Sequence, residues 1–563
     1  MNILSINEVN CKDCYKCVRH CPVNAIKVKN GHAAVDVDRC ILCGLCYGIC
    51  PQNAKVVRND IDKAKEVIKN NEFSVVSIAP SFFAYYKQPY PGKILKALFL
   101  LGFSGIEQTS RAVKSVSDQH LKYYVKEQKI VISSSCPATV NLMEKYYPDL
   151  LKYLAPVVSP AIAHSKIIKN EHKNNSCGIV FISPCIAKKQ ELSDSDINVC
   201  LTFDEMEEWI KTENIELDKL EPADFKEYFS QNSSLFPLLG GLIKRVGLSE
   251  NSFDKEIISI SGISEIKETL DLIRENKIKS GFIDILSCKG GCVSGPCRPK
   301  SCTDKNFMEL KINLIENMKN LPEKADENLL SDNELYREYR NKAIKSENYK
   351  EKDIKAILAL TGKITPEDEH NCGACGYNTC RDKAIAVING MAEAEMCIPY
   401  MRNQAEKFTS IVIKNTPNGI ILLDKNFKIT EINPAFEKIV DKTAEELINS
   451  HISEIMDETP FKLVSFEEET VHKSTITVNN KNLNQIIYSV PDKKLIAAVF
   501  IDISDIEAQK KALNKTKHET LTRAQAVINK QMLVAQEIAG LLGESTAETK
   551  VLLGQLIKTL SED

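Results

Sequence analysis

Twenty cysteines are the residues of this 563-residue chain best suited to chemistry, and their spacing is regular. Cys11-x2-Cys14-x2-Cys17-x3-Cys21-Pro22 is repeated as Cys40-x2-Cys43-x2-Cys46-x3-Cys50-Pro51. Three thiolates in a tight loop take three corners of a 4Fe-4S cube, and a fourth, displaced beside a proline, reaches the cube of the other half. The spacing therefore predicts crossed ligand sets: Cys11, Cys14, Cys17 and Cys50 on one cluster, and Cys40, Cys43, Cys46 and Cys21 on the other. Paired zinc sites are the alternative, but zinc draws its four ligands from two distant pairs. Further along, Cys372-x2-Cys375-x4-Cys380-x16-Cys397 offers three loop thiolates and a fourth after a helical stretch, Ala384 to Glu395. That is enough for another 4Fe-4S cluster, with zinc again the alternative.

Such ligands need a frame. Phe73 to Ile78, Lys129 to Ser133, Gly178 to Ile182 and Gly281 to Leu286 are short, largely apolar runs that read as buried parallel strands. The turns that follow are Ala79-Pro80-Ser81, Ser135-Cys136-Pro137, Pro184-Cys185 and Ser287-Cys288-x3-Cys292. In an open α/β sheet the carboxyl ends of the strands face one crevice. Three loops can then bring Cys136, Cys185, Cys288 and Cys292 to a further buried cluster. Cys177 and Cys200 read as core residues, since a free cysteine behaves as a small hydrophobe. Cys297 and Cys302 read as thiols without a ligand role.

Composition narrows the function. With 43% hydrophobic and 26% charged residues the chain is ordinary globular protein, long enough for several domains. Lys plus Arg total 73 against 76 Asp plus Glu, so no basic excess points to nucleic acid. The N-terminal residues lack a signal-peptide pattern, and no stretch nears the length of about 18 apolar residues needed to span a membrane. A cytoplasmic protein without a membrane partner is expected.

The three loops together resemble a known family. Ser135-Cys136-Pro137, Pro184-Cys185-x2-Lys188-x2-Glu191 and Asp284-x-Leu286-Ser287-Cys288-x2-Gly291-Cys292-x2-Gly295 look like the signature loops of the FeFe-hydrogenase catalytic domain. Phe236-Pro-Leu-Leu-Gly240-Gly241 resembles that family's glycine-bearing segment near its active site, and the first eight cysteines resemble a bacterial two-cluster ferredoxin module. The resemblance implies an H-cluster: a 4Fe-4S cube on Cys136, Cys185, Cys288 and Cys292, with Cys292 bridging to a two-iron subsite that carries CO, cyanide and a dithiolate amine. Lys188 would donate to a cyanide ligand. The departures matter. Hydrogen producers carry a proton-shuttling cysteine where this chain has Ser135, and a hydroxyl does not titrate near neutrality as a thiol does. Ser183 and Leu286 replace expected methionines, Asp284 replaces a glutamate, and Ala155 stands where a relay serine is expected. This pattern resembles the sensory branch of the family.

The remaining sequence fits that branch. Cys372-Gly-Ala-Cys375-Gly-Tyr377 with the later Cys397 resembles the small iron-sulfur domain of corrinoid proteins and sensory hydrogenases. Residues 405 to 505 contain no cysteine, and their strand-helix-strand order, with Asn415-x-Pro417-x-Gly419 and Asn433-x-Ala435-Phe436, resembles a PAS domain. Its His451 and His472 read as structural or solvated. The tail is rich in helix formers; Gly543 should stop one helix and Ser545-x2-Glu548 start another that buries Val551, Leu552, Leu556 and Leu560.

The expected architecture is therefore multidomain α/β and α+β: a two-cluster ferredoxin domain over 1–60, an H-cluster domain over 61–310, a charged helical connector over 311–355, a small 4Fe-4S domain over 356–402, a PAS domain over 403–507 and a helical tail over 508–563. The expected function is hydrogen or redox sensing with slow reversible H2 oxidation. Implied partners are H2 and protons, a ferredoxin-like electron carrier, a signalling partner such as a phosphatase, kinase or regulator, and a second copy of the chain. A working ferredoxin-coupled hydrogenase and a non-catalytic iron-sulfur assembly scaffold are the alternatives.

Overall fold

Apolar residues at successive positions, rather than at every second one, mark strands covered on both faces. Phe73–Ile78, Ile130–Ile132, Cys177–Ser183 and Gly281–Leu286 form such strands in the computed structural model. It describes residues 2–560 apart from 128, 174–175, 225–228, 232–233, 248–256, 320, 324–328, 345–348, 465–470 and 491–494. Three more strands, Gly105–Gln108, Val199–Thr202 and Ile257–Ser261, complete the frame. At four or five residues, they carry too little pattern to be read from sequence.

The single open sheet expected from the sequence is two parallel sheets. One runs in the order Gly105–Gln108, Phe73–Ile78, Cys177–Ser183, Val199–Thr202, and the other Ile257–Ser261, Gly281–Leu286, Ile130–Ile132. Val75 of the first and Val131 of the second meet in one apolar core, so side chains rather than a backbone ladder join the sheets. Both sheets still point their carboxyl ends toward a shared crevice, which is the property the site requires.

The N-terminal repeat builds two antiparallel pairs, Leu4–Ile6 with Lys55–Val57 and Ile26–Lys29 with His32–Val35. Each cysteine loop leads into a one-turn helix, Lys16–Arg19 or Leu45–Gly48. This module is fastened by the helix Pro137–Tyr146, whose Lys145 donates to the Cys40 carbonyl at 2.7 Å and whose Tyr146 hydroxyl donates to the Arg39 carbonyl at 2.8 Å.

Residues 311–355 do not form a solvated connector. The helix Phe307–Lys319 buries Leu310, Leu314 and Met318, and Asn317 donates to the carbonyls of Phe83 and Tyr86. Beyond it Tyr339 donates to the Val157 carbonyl at 2.6 Å and Lys342 pairs with Glu144 at 2.7 Å. A few anchors hold the segment while its many charges stay in water, so composition alone reads as solvated. Residues 320, 324–328 and 345–348 of this stretch lie outside those described. The helix expected over Ala384 to Glu395 is Cys380–Ile388, stopped by Asn389-Gly390, where Gly390 adopts a φ of +65°.

Met1–Met401 form one compact unit and Arg402–Asp563 a second. The second contains a five-stranded antiparallel sheet in the order Ile429–Ile432, Gly419–Leu423, Leu495–Asp502, Lys481–Val490, Val471–Val478. Its core is filled by Ile421, Phe436, Phe461, Leu483 and Phe500. The tail is one uninterrupted helix, Ser504–Leu560, rather than two. An exposed glycine in a helix costs only about 1 kcal/mol, and strong helix formers flank Gly543 on its N-terminal side. Val551 and Leu552 are exposed, while the side chains of Leu556 and Leu560 lie outside those described.

One buried ionic cluster braces the first unit. The Lys189 ammonium has no solvent exposure and donates to Asp60, Glu205 and the Cys200 carbonyl, each at 2.9 Å. It ties the loop after Cys185 to the start of the domain. Replacing Lys189 by Ala leaves the buried Glu205 carboxylate without its cation, while Asp60 keeps Arg58 and Lys63, and the expected loss of about 3 kcal/mol is to be measured by urea unfolding.

Candidate metal centre

The carboxyl ends of the strands enclose a cavity with about 760 Å³ of space between protein atoms, its open mouth included. Its wall contains Cys136, Cys185, Cys288 and Cys292, together with Ser135, Lys188, Phe236 and Pro237. Each cysteine is placed by its own local device. Cys136 caps the helix that begins at Pro137, and Cys185 follows the strand Cys177–Ser183. Between Cys288 and Cys292 the chain turns through Gly290 and Gly291, at φ +83° and +111°. A Cβ on Gly291 would stand 2.3 Å from the Pro237 carbonyl oxygen, which also accepts from the Cys292 amide at 2.7 Å. Only glycine allows that approach.

The sulfurs share one neighbourhood. The Ser287 hydroxyl lies 3.5 Å from the Cys136 sulfur and 3.9 Å from that of Cys288. Burial raises the thiol pKa of Cys185 to about 11 and drives those of Cys288 and Cys292 higher still; the neighbouring cysteines add to each shift. Among the described residues no three His, Cys, Asp or Glu side chains gather tightly enough to hold a single metal ion. A cube differs from one ion because each thiolate binds a different corner, so four sulfurs around a cavity fit it. Iron would replace the protons that burial holds on Cys185, Cys288 and Cys292.

The cavity also has polar groups aimed at a guest. Lys188, nearly buried, donates to Glu191 at 2.5 Å and to the Ser159 hydroxyl at 2.8 Å, which uses two of its three hydrogens. The buried Ser135 hydroxyl has no hydrogen-bond partner among the described residues, an uncommon state for an interior polar atom. Ser183 and Leu286 line the cavity, Asp284 accepts from Ser133 at 2.8 Å, and Ala155 is packed in the adjoining core without a hydroxyl. Cys177, Cys200, Cys297 and Cys302 are buried, and the Cys302 thiol donates to the Tyr85 carbonyl at 3.3 Å.

Sequence reading missed a buried polar chain behind the wall. Thr109 lines the cavity; its hydroxyl lies 3.0 Å from that of Ser77, which lies 2.8 Å from His164 Nδ1. His164 Nε2 then meets Glu107 at 3.1 Å, and Glu107 pairs with Arg111 near the surface. Glu107, Thr109 and Arg111 are neighbours in sequence, but Ser77 and His164, which link them, come from other elements, so no spacing could have announced the chain.

Cys21 lies among the charges that bear on Cys40, Cys43 and Cys46, bringing it to their side of the repeat. Cys14 reaches Gln52, two residues past Cys50, at 3.6 Å. A Cβ on Gly44 would stand 2.4 Å from Pro296 and 2.9 Å from Ile186, so the loop carrying Cys43 presses on the loops carrying Cys185 and Cys292. Cys372, Cys375, Cys380 and Cys397 surround a separate cavity with Lys363 and Lys383. In the second unit His451 is spent on the Ser453 hydroxyl at 2.8 Å, and His472 lies on the strand Val471–Val478.

Residues 72–296 match the family described as iron only hydrogenase large subunit, C-terminal domain. The chain carries an iron-only hydrogenase-type domain. Residues 3–51 match the 4Fe-4S dicluster domain, 369–399 a putative Fe-S cluster family and 408–477 the PAS fold. Iron hydrogenase 1 of Clostridium pasteurianum is 25% identical over 374 residues, 53% of this chain and 65% of that protein. The chain thus spans just under two thirds of that relative's length. A probable cytosolic Fe-S cluster assembly factor of Caenorhabditis elegans is 22% identical over 51% of this chain and 76% of its own length. The solved [FeFe]-hydrogenase HydA1 of Chlamydomonas reinhardtii aligns over 51% of this chain and all of that one, at 16% identity and a TM-score of 0.41. No helix among the described residues is long and apolar enough to cross a membrane.

The polar chain behind the hydrogenase-type cavity has a measurable signature. Burial alone would raise the Glu107 pKa, but the hydrogen bond and charge of His164, followed by Arg111, bring it down to about 2. Its contribution to stability is present above the unfolded pKa of about 4.3 and is lost as pH falls toward 2. Glu107→Gln should therefore flatten the acid limb of the unfolding profile, measured by circular dichroism across that range.

Proposed function

We propose that the protein senses hydrogen or redox state, and that an H-cluster on Cys136, Cys185, Cys288 and Cys292 carries out slow reversible H2 oxidation. The observation that carries this reading is the cavity on which four cysteines from three loops, Cys136 buried and the others partly so, converge beside Lys188. When bound, the two-iron subsite supplies the redox chemistry that splits H2 into two protons and two electrons. Cys292 is assigned the bridge to that subsite, Lys188 a hydrogen bond to a cyanide ligand through its remaining hydrogen, and Glu191 the orientation of Lys188. Phe236 and Pro237 close the apolar side of the cavity and limit water.

Ser135 is the residue that sets the pace. It stands where the family's fast members keep a cysteine, and its hydroxyl cannot exchange a proton near neutral pH as a thiol can. Electrons leave more readily than protons. The contact of Gly44 with Ile186 and Pro296 supports a route from the Cys136 site to the Cys40, Cys43, Cys46 and Cys21 cluster, and from there to Cys11, Cys14, Cys17 and Cys50. The cluster assigned to Cys372, Cys375, Cys380 and Cys397 and the PAS domain make signalling a better fit than bulk turnover. A change of cluster charge signals only if some element has two states that respond differently to it. The 57-residue tail helix exposes Leu513, Leu521, Ile528 and Leu541, a surface suited to a second copy or a signalling partner.

Infrared spectra of the matured protein should contain CO and cyanide bands that shift between hydrogen and argon; their absence would favour the assembly-scaffold reading suggested by the similarity to an assembly factor. Ser135→Cys should raise H2 turnover by about tenfold or more with the bands retained. Turnover that is fast in the native protein and indifferent to deletion of residues 405–563 would instead favour a ferredoxin-coupled hydrogenase.

A further inference from the structure

Two buried ammonium groups stand beside the cavity formed by Cys372, Cys375, Cys380 and Cys397. Lys363 is 8% exposed, and its Nζ donates to the Cys397 sulfur at 3.3 Å, the Thr361 carbonyl at 3.1 Å and the Thr361 hydroxyl at 3.2 Å. Lys383 is 5% exposed, and its Nζ donates to the carbonyls of Glu393 at 2.8 Å and Ala394 at 3.1 Å. All of these acceptors except the Cys397 sulfur are neutral carbonyl or hydroxyl groups. The charges that bear on Lys383 are those of Cys375 and Cys397, then Lys363, with the carboxylate of Glu395 behind them.

A buried cation without an opposing charge is costly, and two that face one cavity also repel. The arrangement is favourable once the cavity holds an anion. A 4Fe-4S cube with four thiolates is net negative when oxidised and one charge more negative when reduced, so both lysines favour the reduced state more than the oxidised one. The N–H bond from Lys363 to the Cys397 sulfur acts in the same direction by withdrawing electron density from a ligand.

This pocket also adjoins a source of electrons. A Cβ on Gly376 would lie 3.1 Å from the Arg19 amide nitrogen, two residues past Cys17. The Asn30 and Gly31 amides donate to Glu393, and Val28 N donates to the Met391 carbonyl at 3.0 Å. Cys17, Cys21 and Cys375 pack within one apolar cluster.

We propose that Lys363 and Lys383 are positioning residues that hold the reduction potential of the Cys372–Cys397 cluster high, so that electrons from the ferredoxin-type module come to rest there. The inference depends on the reading of these four cysteines as a 4Fe-4S site. In the step, one electron leaves a reduced cluster of the module and enters this one. The first is oxidised, the second is reduced, and both lysines remain protonated, so no proton moves.

The test is a potentiometric titration of the full-length protein followed by electron paramagnetic resonance, with the signal of this cluster assigned as the one lost in Cys375→Ala. Lys363→Met and Lys383→Met should each reduce the ratio of reduced to oxidised cluster at least tenfold at a fixed ambient potential, equivalent to 59 mV for a one-electron couple. Lys363→Arg, which keeps the charge, should remain near the native value, and the two N-terminal clusters should not shift. If one Met variant fails to retain the cluster, the other carries the same test. Unchanged potentials in cluster-bearing variants would overturn the proposal. If Cys375→Ala removes no four-iron signal, the cluster assignment itself is wrong and the proposal falls with it.

Discussion

The first unit is organised by the cost of holding thiols away from water. Cys185, Cys288 and Cys292 sit where burial strongly disfavours the thiolate, yet the thiolate is the form that binds iron. An interior that gathers three such groups and Cys136 around one space suits a cationic cluster core. The surrounding structure follows from this constraint. Parallel strands deliver the loops, Gly290 and Gly291 allow the backbone to close on Pro237, and Lys188 supplies a positive charge that is itself balanced by Glu191.

The same principle recurs elsewhere with different partners. Lys189 is balanced by two carboxylates of the protein, so its cluster is structural and complete. Lys363 and Lys383 hydrogen-bond only to neutral groups and one thiol, with the Glu395 carboxylate farther off, so what the cysteines bind would supply the closer counter-charge. A buried lysine is thus read by what neutralises it. The comparison separates a brace from a site without reference to motif.

Close contact between modules is a further consequence. The ferredoxin-type repeat and the small cysteine domain are not strung along the chain as independent beads. Gly44 of the repeat lies against the side chains of Pro296 and Ile186, and Gly376 of the small cysteine domain lies against the backbone of Arg19, close approaches that a larger residue would disturb. Such approaches shorten the distance between cysteine loops.

Much of this was legible in the sequence because ligand chemistry demands fixed spacing. The repeated cysteine motif, the three strands that lead to Cys136, Cys185 and Cys288, and the third motif from Cys372 to Cys397 are local patterns, and the strands form where they were expected. The PAS-type strand order was equally local. The tertiary structure decided what depends on contacts between distant residues. It divided one expected sheet into two, docked a charged segment that composition marked as solvated, and kept Gly543 inside a helix. It also joined Thr109, Ser77, His164 and Glu107 into one polar chain and placed Lys363 and Lys383 beside one cavity. Spacing along a chain records which residues can act together through one loop or helix. Burial and charge balance are set by neighbours distant in the sequence, and those appear only when the chain has folded.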